Sequence, residues 1–320
     1  MVQPQDIIRR WHKGDTAFDL QTSGTSGLPQ NIPLKRHLIQ LSCQLTGDFL
    51  HIQPNDSILC CLPLNRVGGL MQVFRSQIWN IPIHFLQASA NPLNSEIPNA
   101  SITSLTPMQA ALALQSETGL TNLRRFRIVL IGGGELSPDL ENTLAALGYT
   151  QFYHTYGMTE TYSHIAMRKL GMEQHFEFLL PTQARTDNRG CLAINNELTE
   201  NQWLQTNDLV QLLPDSRFTV LGRADNLINS GGVKINPAEV EAIIASCTGL
   251  QPHEFFCAGL PDSVLGQKLV LILLESASVP NLDQIPFSPA YLKPKEIIIK
   301  KEFIYTETQK IRRAETLNQR

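Results

Sequence analysis

Two short stretches of the chain gather the kinds of groups that bind phosphates and metal ions. The stretch "TSGTSG" at 22–27 offers four hydroxyls and two glycines, and glycines allow successive backbone N–H groups to approach a phosphate closely. It does not match the GxxxxGK[ST] phosphate loop, because no lysine stands inside it. Taken alone, it is more simply explained as a polar turn.

The stretch "YGMTETYSH" at 156–164 is more informative, because it follows an apolar run that predicts a strand. A glutamate at the exit of a strand suits a divalent cation, and the threonine hydroxyls suit a phosphate. The alternative is that Glu160 only caps the next helix. Further along, Asp208 in "TNDL" and Arg223 in "GRAD" suit ribose and phosphate groups, although each alone is typical of a surface ion pair. The basic run "TETQKIRR" at 306–313 is by itself consistent with a solvated tail.

Alternating apolar runs and helix-length segments must position these groups. The apolar runs predict strands at 57–63, 81–87, 101–107, 125–134 and 149–157. The segments between them predict helices at 68–80, 107–117 and 137–148. This alternation is typical of a mostly parallel sheet with helices on both faces. Ligands of such sheets bind beyond the carboxyl ends of the strands, where "LIGGGE" and "HTYGMTET" fall.

The pattern changes after about residue 188, where short apolar runs separated by turns predict a β subdomain. From residue 223 a helix at 236–247 is followed by further strands. We therefore predict an α/β protein with two domains. The large N-terminal domain, residues 1–222, would have mostly parallel sheets covered by helices plus a β subdomain. Residues 223–320 would form a small α+β C-terminal domain.

The composition excludes several functional classes. With 320 residues, 42% of them apolar, the chain can bury a large core. Its net charge of −3 shows no basic bias, so we expect no nucleic-acid partner. The six cysteines have no metal-ligand spacing and are typical of reduced thiols in a cytoplasmic protein. The first residues contain no signal-peptide core and no segment is long enough to span a membrane, so we expect a soluble cytoplasmic protein.

Taken together and in order, the motifs resemble those of the adenylate-forming acyl-CoA synthetase superfamily, over nearly the whole chain. "TSGTSGLP" is similar to its phosphate loop, "LIGGGE" to its adenine-side loop and "YGMTET" to its signature turn. "WLQTND" is similar to its ribose-binding motif, "GRADNLINSGGVKINPAEVE" to its hinge and thioester-forming motif, and "TETQKIRR" to its motif with the catalytic lysine. The joint resemblance outweighs the simpler interpretation of each motif.

The resemblance implies a set of ATP contacts. The β- and γ-phosphates would be held by Thr22, Ser23, Gly24, Thr25, Ser26 and Gly27. The adenine pocket would be lined by Gly132, Gly133, Gly134, Tyr156 and Gly157, with the Tyr156 ring stacked on the base. Thr159 would bind the α-phosphate, Glu160 the magnesium ion, and Asp208 the ribose hydroxyls with Arg223 nearby.

The small domain would then take part in catalysis. The resemblance implies that it is mobile and rotates about Asp225, and that Lys310 reaches from it to the carboxylate and the α-phosphate. After adenylation, the rotation would remove Lys310 and bring Ser230, Gly231 and Gly232 beside a tunnel for CoA. The enzyme would thus use ATP, Mg²⁺ and CoA with a carboxylic acid, and a homodimer is left open.

The choice of acid rests on finer features. The chain is compact for this superfamily, its phosphate loop begins at residue 22, and "YGMTETYSHIA" is most similar to the o-succinylbenzoate–CoA ligases of menaquinone biosynthesis. Because that acid has a second carboxylate, its pocket needs a cation that is not catalytic. The candidates for the acyl pocket are Arg66, Gly68, Arg75, Ser163 and His164. The alternative for Arg75 is an ordinary arginine on a helix surface.

Two alternatives stay open at this point. The acid could be another aryl or short acyl carboxylate, since Asn65 and Arg66 stand where the family often has an aromatic–histidine pair. The chain could also be a degenerate nucleotide-binding protein, because it departs from the family pattern at Gln30, Asn207, Asn229 and Gln309. Retention of Glu160, Asp208, Arg223 and Lys310 argues against the second alternative. Gln30 stands where the family usually has a lysine, and Lys35 is the nearest basic residue that follows it.

Overall fold

A computed structural model of the chain describes residues 3–22, 30–305 and 311–319, and for Gln21, Thr22 and Gln30 it describes the backbone alone. The helices are α1 (Pro4–Lys13), α2 (Arg36–Leu50), α3 (Val67–Trp79), α4 (Pro107–Leu114), α5 (Glu117–Leu123), α6 (Pro138–Ala145), α7 (Pro237–Thr248) and α8 (Arg313–Asn318). The strands of the first half are β1 (Ala17–Thr22), β2 (Gln30–Lys35), β3 (Ile58–Cys60), β4 (Ile83–Phe85), β5 (Ile102–Leu105), β6 (Ile128–Ile131), β7 (Gln151–Met158), β8 (Ser163–Lys169) and β9 (Phe176–Phe178). Those of the second half are β10 (Gln183–Thr186), β11 (Cys191–Asn195), β12 (Leu204–Leu213), β13 (Arg217–Arg223), β14 (Ile228–Ser230), β15 (Val233–Ile235), β16 (Phe255–Asp262), β17 (Gly266–Leu274) and β18 (Glu296–Lys300).

One continuous sheet dominates the first 223 residues. Within the described part of the chain it has 11 strands in the order β10-β11-β12-β13-β9-β8-β7-β6-β5-β3-β4. The strands from β7 to β4 pair in parallel, and those from β7 to β10 pair antiparallel. The predicted α/β class, with a parallel part and a β subdomain, is confirmed. The two parts share a single sheet, and strand β7 is the strand at which the pairing changes.

Helices cover both faces of the parallel part, as the alternating sequence pattern predicts. Along β6 the side chains of Ile128 and Leu130 pack in one cluster with Leu50 of α2, while Val129 and Ile131 pack in another with residues of α4, α5 and α6. All four residues of β6 are buried, which explains why its sequence is uniformly apolar instead of alternating.

Local signals set several helix boundaries. Helix α6 begins where Ser137 accepts a hydrogen bond from the Leu140 N–H, and Pro138 occupies the first helical position. Its helical residues end at Ala145, so the predicted end at Gly148 is three residues too late. Helix α4 begins with a capping box, in which Thr106 and Gln109 exchange side-chain and backbone hydrogen bonds of 3.2 and 2.9 Å.

The last third of the chain forms an α+β unit. Strands β14 to β18 make a sheet of their own, and helix α7 packs against it. Its buried apolar residues form two clusters of their own, which contain no residue before Ile228. An ion pair between Arg313 and Glu241, with a 2.9 Å hydrogen bond, ties the start of α8 to α7. The division at 222/223 stays a prediction, and the separate cores support it.

Two further features concern the lengths of the helices and the state of the cysteines. The longest helix in the described ranges, α2, has 15 residues, and none of the described helices is long and apolar enough to cross a membrane. All six cysteines are described, and each is a free thiol.

A buried ion pair closes the amino-terminal edge of the parallel strands. Asp56 precedes β3 and accepts hydrogen bonds from the guanidinium of Arg127, from Ser101 Oγ at 2.7 Å and from the Gln53 N–H at 2.8 Å. Burial alone would raise the pKa of the Asp56 carboxyl, but these hydrogen bonds outweigh it and the pKa is lowered. The carboxylate thus stabilises the folded state in its charged form.

We predict that Asp56→Asn lowers the free energy of unfolding at pH 7 by about 2 kcal/mol, because it leaves Arg127 partly buried without a counter-ion. Since the folded-state pKa is depressed, this stabilisation is present above about pH 4 and is lost as the pH falls below it. Urea unfolding of both proteins at pH 7 and about pH 3 measures the difference. Asp215→Asn is the control, since its ion pair with Arg217 is exposed. A difference that does not shrink at low pH would contradict this role for Asp56.

Candidate active site

The signature turn connects β7 to β8 and is built from two unusual backbone conformations. After a 3₁₀ turn at Thr159–Thr161, both Tyr162 (φ +56°) and Ser163 (φ +87°) occupy the left-handed region. For residues other than glycine this costs about 1–3 kcal/mol each. The cost is offset by Thr161 Oγ1, which donates to the Ser163 carbonyl at 2.8 Å, and by Ser42 Oγ, which donates to the Tyr162 carbonyl at 3.0 Å.

Gly157 allows the two strands to approach each other closely at this turn. A Cβ atom at position 157 would lie 1.9 Å from the Ser163 carbonyl oxygen, far inside van der Waals contact. The pairing also shifts register between Tyr156 and Gly157. Glycine is therefore required here by the backbone of β8, independently of any ligand.

Glu160 lies exposed in the 3₁₀ turn beside Thr159. The chain continues into strand β8, so the alternative that Glu160 caps a following helix is wrong. A carboxylate and a neighbouring hydroxyl at a strand exit are hard oxygen ligands, which fit the Mg²⁺ that the family resemblance implies. The described residues contain no group of three or more histidine, cysteine or acidic residues able to hold a metal by themselves, so most ligands of this ion would come from phosphate and water.

Three predicted nucleotide-binding residues meet in one hydrogen-bonded chain. Tyr156 at the end of β7 donates its hydroxyl to Asp208 Oδ2 at 2.6 Å, and Arg223 Nη1 donates to Asp208 Oδ1 at 2.9 Å. Asp208 and Arg223 lie opposite each other in the β12–β13 pair. Burial, and then the Asp208 charge, raise the pKa of the Tyr156 phenol, so it stays neutral. Each Asp208 oxygen retains a further lone pair for a ribose hydroxyl.

The Tyr156 ring packs against two phenylalanine rings and stays partly exposed. Its centroid lies 5.1 Å from that of Phe218, in an edge-on arrangement, and 5.9 Å from that of Phe176. The residue is only half-buried. A planar base could therefore stack on the remaining surface of the ring.

The glycine loop Gly132–Gly134 follows β6, the strand next to β7 in the sheet. A Cβ at Gly132 would lie 2.2 Å from the hydroxyl of Thr155, so this glycine lets the loop sit directly against β7. The Gly134 carbonyl accepts a hydrogen bond of 3.2 Å from His154 Nε2. The sequence prediction missed His154, because nothing local in the sequence marks a contact between two strands.

The phosphate-loop candidates Ser23, Gly24, Thr25, Ser26 and Gly27, and the side chain of Thr22, lie outside the described residues. The two strands that flank them form an antiparallel hairpin, in which Thr22 pairs with Gln30 and Ala17 with Lys35. Lys35 thus stands five residues from the loop end of the hairpin, about 17 Å at 3.3 Å per residue. Its ammonium group binds Glu200 at 2.6 and 2.8 Å. Lys35 therefore has a carboxylate partner among the described residues, whereas the phosphate loop itself lies outside them.

Two predicted acyl-pocket residues, Arg75 and His164, meet inside the protein. Arg75 is 2% exposed and its Nη2 lies 3.3–3.5 Å from the ring nitrogens of His164. The Thr46 hydroxyl donates to the Ser42 carbonyl, and its Oγ1 lies 2.8 Å from His164 Nε2. The Arg75 guanidinium lies nearer to Nε2 than to Nδ1 of the same ring. Burial, and then the Arg75 charge, hold the pKa of His164 well below its usual value.

Arg75 has no carboxylate partner among the described residues, and its Nε atom makes no hydrogen bond. Burial lowers its pKa, because removal from water disfavours the charged guanidinium. One turn earlier on α3, Gln72 is also buried and its Oε1 has no partner among the described residues. Helix α3 therefore holds an unsatisfied donor and an unsatisfied acceptor on one face, of which the sequence prediction identified only Arg75.

The other acyl-pocket candidates lie at the ends of elements. Arg66 immediately precedes α3, and Gly68 lies in its first turn. Arg66 is nine residues from Arg75, so the backbones of the two arginines lie about 13 Å apart along the helix axis. Ser163 contributes mainly its backbone, as the carbonyl that faces Gly157.

The candidates in the small sheet occupy a hairpin and a linking turn. Ser230 ends β14, and Gly231 (φ +58°) and Gly232 (φ +82°) form the turn to β15. Both left-handed values are those of a type I′ turn, so the hairpin itself requires the glycines. Asp225 lies in a 3₁₀ turn between β13 and β14, where Arg223 binds both of its oxygens at 3.0 and 2.8 Å.

The positions that depart from the family pattern have different surroundings. Asn207, which precedes Asp208, accepts a 3.2 Å hydrogen bond from Arg189 Nη1. The Asn229 N–H donates to Gln267 Oε1 at 2.8 Å. The predicted catalytic Lys310 and its neighbour Gln309 lie outside the described residues, as does the side chain of Gln30.

Comparison with known proteins identifies the class of this fold and site. Residues 3–197, more than half of the chain, match the model of the AMP-binding enzyme family. The solved structure of an acyl-CoA synthetase (AMP-forming)/AMP-acid ligase II-like protein from Dyadobacter fermentans DSM 18053 superposes with a TM-score of 0.63 and 33% identity, over 98% of this chain and 92% of that one. The chain belongs to the AMP-binding enzyme family.

Two curated relatives are named for the same activity, the ligation of 2-succinylbenzoate to CoA. The chain is 28% identical to the 2-succinylbenzoate–CoA ligase of Geobacillus sp. (strain WCH70), over 95% of this chain and 69% of that protein. It is 30% identical to the probable 2-succinylbenzoate–CoA ligase of Mycobacterium tuberculosis (strain ATCC 25618 / H37Rv), over 83% of this chain and 73% of that protein. The o-succinylbenzoate CoA synthetase (MenE) of Bacillus subtilis, solved with the acyl-adenylate OSB-AMP, shares the fold, with a TM-score of 0.75 and 21% identity over 94% of this chain and 69% of that one.

We predict that Gly157→Ala lowers the free energy of unfolding by more than about 2 kcal/mol, because β7 and β8 must separate to admit the new methyl group. Gly134→Ala is the matched control, since its Cβ would lie 3.5 Å from the nearest atom, in ordinary contact with Pro107. We expect the control to change the unfolding free energy by less than about 1 kcal/mol. Urea unfolding followed by circular dichroism measures both, and equal stabilities would contradict the close approach of the strands.

Proposed function

We propose that the protein is an AMP-forming acid–CoA ligase that converts 2-succinylbenzoate, ATP and CoA into 2-succinylbenzoyl-CoA, AMP and pyrophosphate, as in menaquinone biosynthesis. Family membership and the names of the curated relatives support the reaction class. The observation that carries the choice of acid is Arg75, a buried cation with no carboxylate partner among the described residues. The second carboxylate of this substrate would complete that pair.

In the first step, a carboxylate oxygen of the acid attacks the α-phosphorus of ATP, and the bond to the β-phosphate breaks to release pyrophosphate. Both reactants are anions, so the site must stabilise the charge of the transition state. A magnesium ion at Glu160, when bound, would supply part of this positive charge. Lys310 and the loop Thr22–Gly27, with its four hydroxyls, would supply the remaining contacts to the phosphates.

The described residues would orient the nucleotide. The adenine would lie between the loop Gly132–Gly134 and the ring of Tyr156, and Asp208 would accept hydrogen bonds from the ribose hydroxyls. Arg223 and Tyr156 hold Asp208 at both oxygens, so its carboxylate is fixed before the nucleotide arrives. Thr159, at the start of the signature turn, would donate to the α-phosphate.

In the second step, the CoA thiolate attacks the acyl carbonyl of the adenylate, and the bond to the phosphate oxygen breaks to release AMP. We propose that the small C-terminal domain rotates about Asp225 between the steps. The rotation would withdraw Lys310 and place the hairpin tip at Ser230–Gly232 beside CoA. A cytoplasmic location fits this chemistry and the six free thiols, and a homodimer stays a hypothesis.

The reaction itself tests the proposal. Purified protein with ATP, Mg²⁺, CoA and 2-succinylbenzoate should form the acyl-CoA, and Lys310→Ala should slow adenylation by at least about a hundredfold while ATP still binds. Lys301→Ala, at an exposed lysine nearby in sequence, should keep full activity. Equal turnover of a plain benzoate or a fatty acid would refute the choice of acid, and adenylation that survives in Lys310→Ala would refute the role of Lys310.

Arg75→Met tests the acyl pocket separately. We predict that it lowers kcat/KM for 2-succinylbenzoate about tenfold to a hundredfold, because a charge-assisted hydrogen bond contributes about 1.5–3 kcal/mol. Activity with 4-oxo-4-phenylbutanoate, which keeps one carboxylate of the same skeleton, should stay within about threefold of its wild-type value.

The stability of Arg75→Met gives an independent readout, since replacing an uncompensated buried charge by an apolar side chain of similar volume is often neutral or stabilising. Thermal unfolding should therefore show no loss. Arg124→Met, at an exposed arginine, serves as the control for both measurements. An equal loss with both substrates would mean that Arg75 shapes the core and does not bind the second carboxylate.

A further inference from the structure

His154 lies on β7 between the two proposed walls of the adenine pocket. It is 8% exposed, its Nε2 lies 3.2 Å from the Gly134 carbonyl, and Arg168 Nη2 lies 3.3 Å from its Nδ1. A carbonyl can only accept and a guanidinium can only donate. The ring is therefore neutral, with its proton on Nε2 and the bare Nδ1 facing Arg168.

Arg168 is itself fixed in place. Its two terminal nitrogens donate to both oxygens of Glu141 at 2.6 Å each, in a pair whose side chains are 11% and 21% exposed. Nη1 also donates to the Glu173 carbonyl at 3.3 Å, and the guanidinium lies 5.5 Å from the centre of the Phe176 ring. The bidentate pair gives Arg168 one orientation, which in turn fixes the orientation of the imidazole.

The charges around His154 keep it neutral. Burial and the neighbouring Arg168 lower the pKa of His154 to about 4, although the Gly134 carbonyl and Glu141 act in the opposite direction. The imidazole thus remains a constant hydrogen-bond donor to the loop at neutral pH.

His154 also connects to the second wall. Residues 154 and 156 lie on the same face of β7, because side chains alternate along a strand. The centroid of the Phe176 ring lies 5.0 Å from that of His154 and 5.9 Å from that of Tyr156. His154 and Phe176 therefore form a continuous row of contacts from the glycine loop to the Tyr156 ring.

We propose that His154 is a positioning residue for the adenine base of ATP: its Nε2–H holds the Gly134 carbonyl and so sets the separation between the loop Gly132–Gly134 and the ring of Tyr156. Arg168 and Glu141 hold His154 in the tautomer that can do this. The inference rests on the proposed function, since it assumes that adenine binds between these walls. His154 acts on the affinity for the nucleotide and not on the phosphorus or acyl carbon.

The test compares His154→Leu, which removes the donor, with His154→Gln, whose amide N–H replaces it. Isothermal titration with Mg²⁺–ATP should show about threefold to tenfold weaker binding for the leucine variant, the range expected for one neutral hydrogen bond, and binding within twofold of wild type for the glutamine variant. The KM for ATP should follow the same order while kcat changes less than twofold. His84→Leu, on strand β4 at the other end of the sheet, is the control.

Each outcome separates the two hypotheses. Unchanged ATP affinity in a folded His154→Leu protein, or a glutamine variant as weak as the leucine variant, would overturn the positioning role while leaving the proposed function intact. Wild-type protein that binds ATP but does not use 2-succinylbenzoate would overturn only the choice of acid. A wild-type protein that does not bind ATP would overturn both.

A second variant keeps the proposal testable if His154→Leu does not fold. Glu141→Gln leaves the imidazole in place but weakens the hold on Arg168, so it should weaken ATP binding about twofold to threefold. Nitrogen-15 NMR of the wild-type imidazole should show a protonated Nε2 and a bare Nδ1 from about pH 6 to pH 8. An Nδ1-protonated tautomer, or unchanged ATP affinity in Glu141→Gln, would overturn the proposal.

Discussion

The close approach of β7 and β8 at Gly157 is the constraint on which the rest of the site depends. It allows β7 to reverse within a turn of only a few residues, in the middle of the large sheet. His154 and Tyr156, which precede the reversal, lie on the side proposed for the nucleotide. His164, which follows it, contacts Arg75, a residue proposed for the acyl pocket. Since β7 also pairs in parallel with β6, the same strand borders the glycine loop that would cover the adenine.

The buried charge of Arg75 adds a second constraint. Burying a cation without a counter-ion costs several kcal/mol, and neutral partners such as His164 recover only part of this. A protein selected for stability alone would do as well with an apolar residue at this position. The arrangement would suit a site that binds an anionic group, because the desolvated guanidinium would already be in place when the ligand arrives. It therefore supports the proposal that the substrate is a dicarboxylic acid.

The sequence predicted the parallel part of the fold well, because its strands are buried on both faces and appear as short, uniformly apolar runs such as "RIVLI". It also predicted that Tyr156, Asp208 and Arg223 belong to one site, through the family resemblance, and the structure brings these three together. Contacts between residues that are distant in the sequence could not be predicted from it. Lys35 pairs with Glu200, 165 residues away, and His154 contacts a carbonyl 20 residues away. Strand β8 follows the turn directly, which excludes the helix-cap alternative for Glu160, and its binding of a metal ion stays a prediction.

A crystal structure of the protein soaked with ATP, Mg²⁺ and 2-succinylbenzoate, in the absence of CoA, tests the central claim most directly. We expect the acyl-adenylate in the site, with its adenine between Gly132–Gly134 and Tyr156 and its ribose hydroxyls on Asp208. The free carboxylate of the acyl group should lie within hydrogen-bond distance of the Arg75 guanidinium. A nucleotide bound elsewhere, or a free carboxylate bound away from an unchanged Arg75, would contradict the assignment.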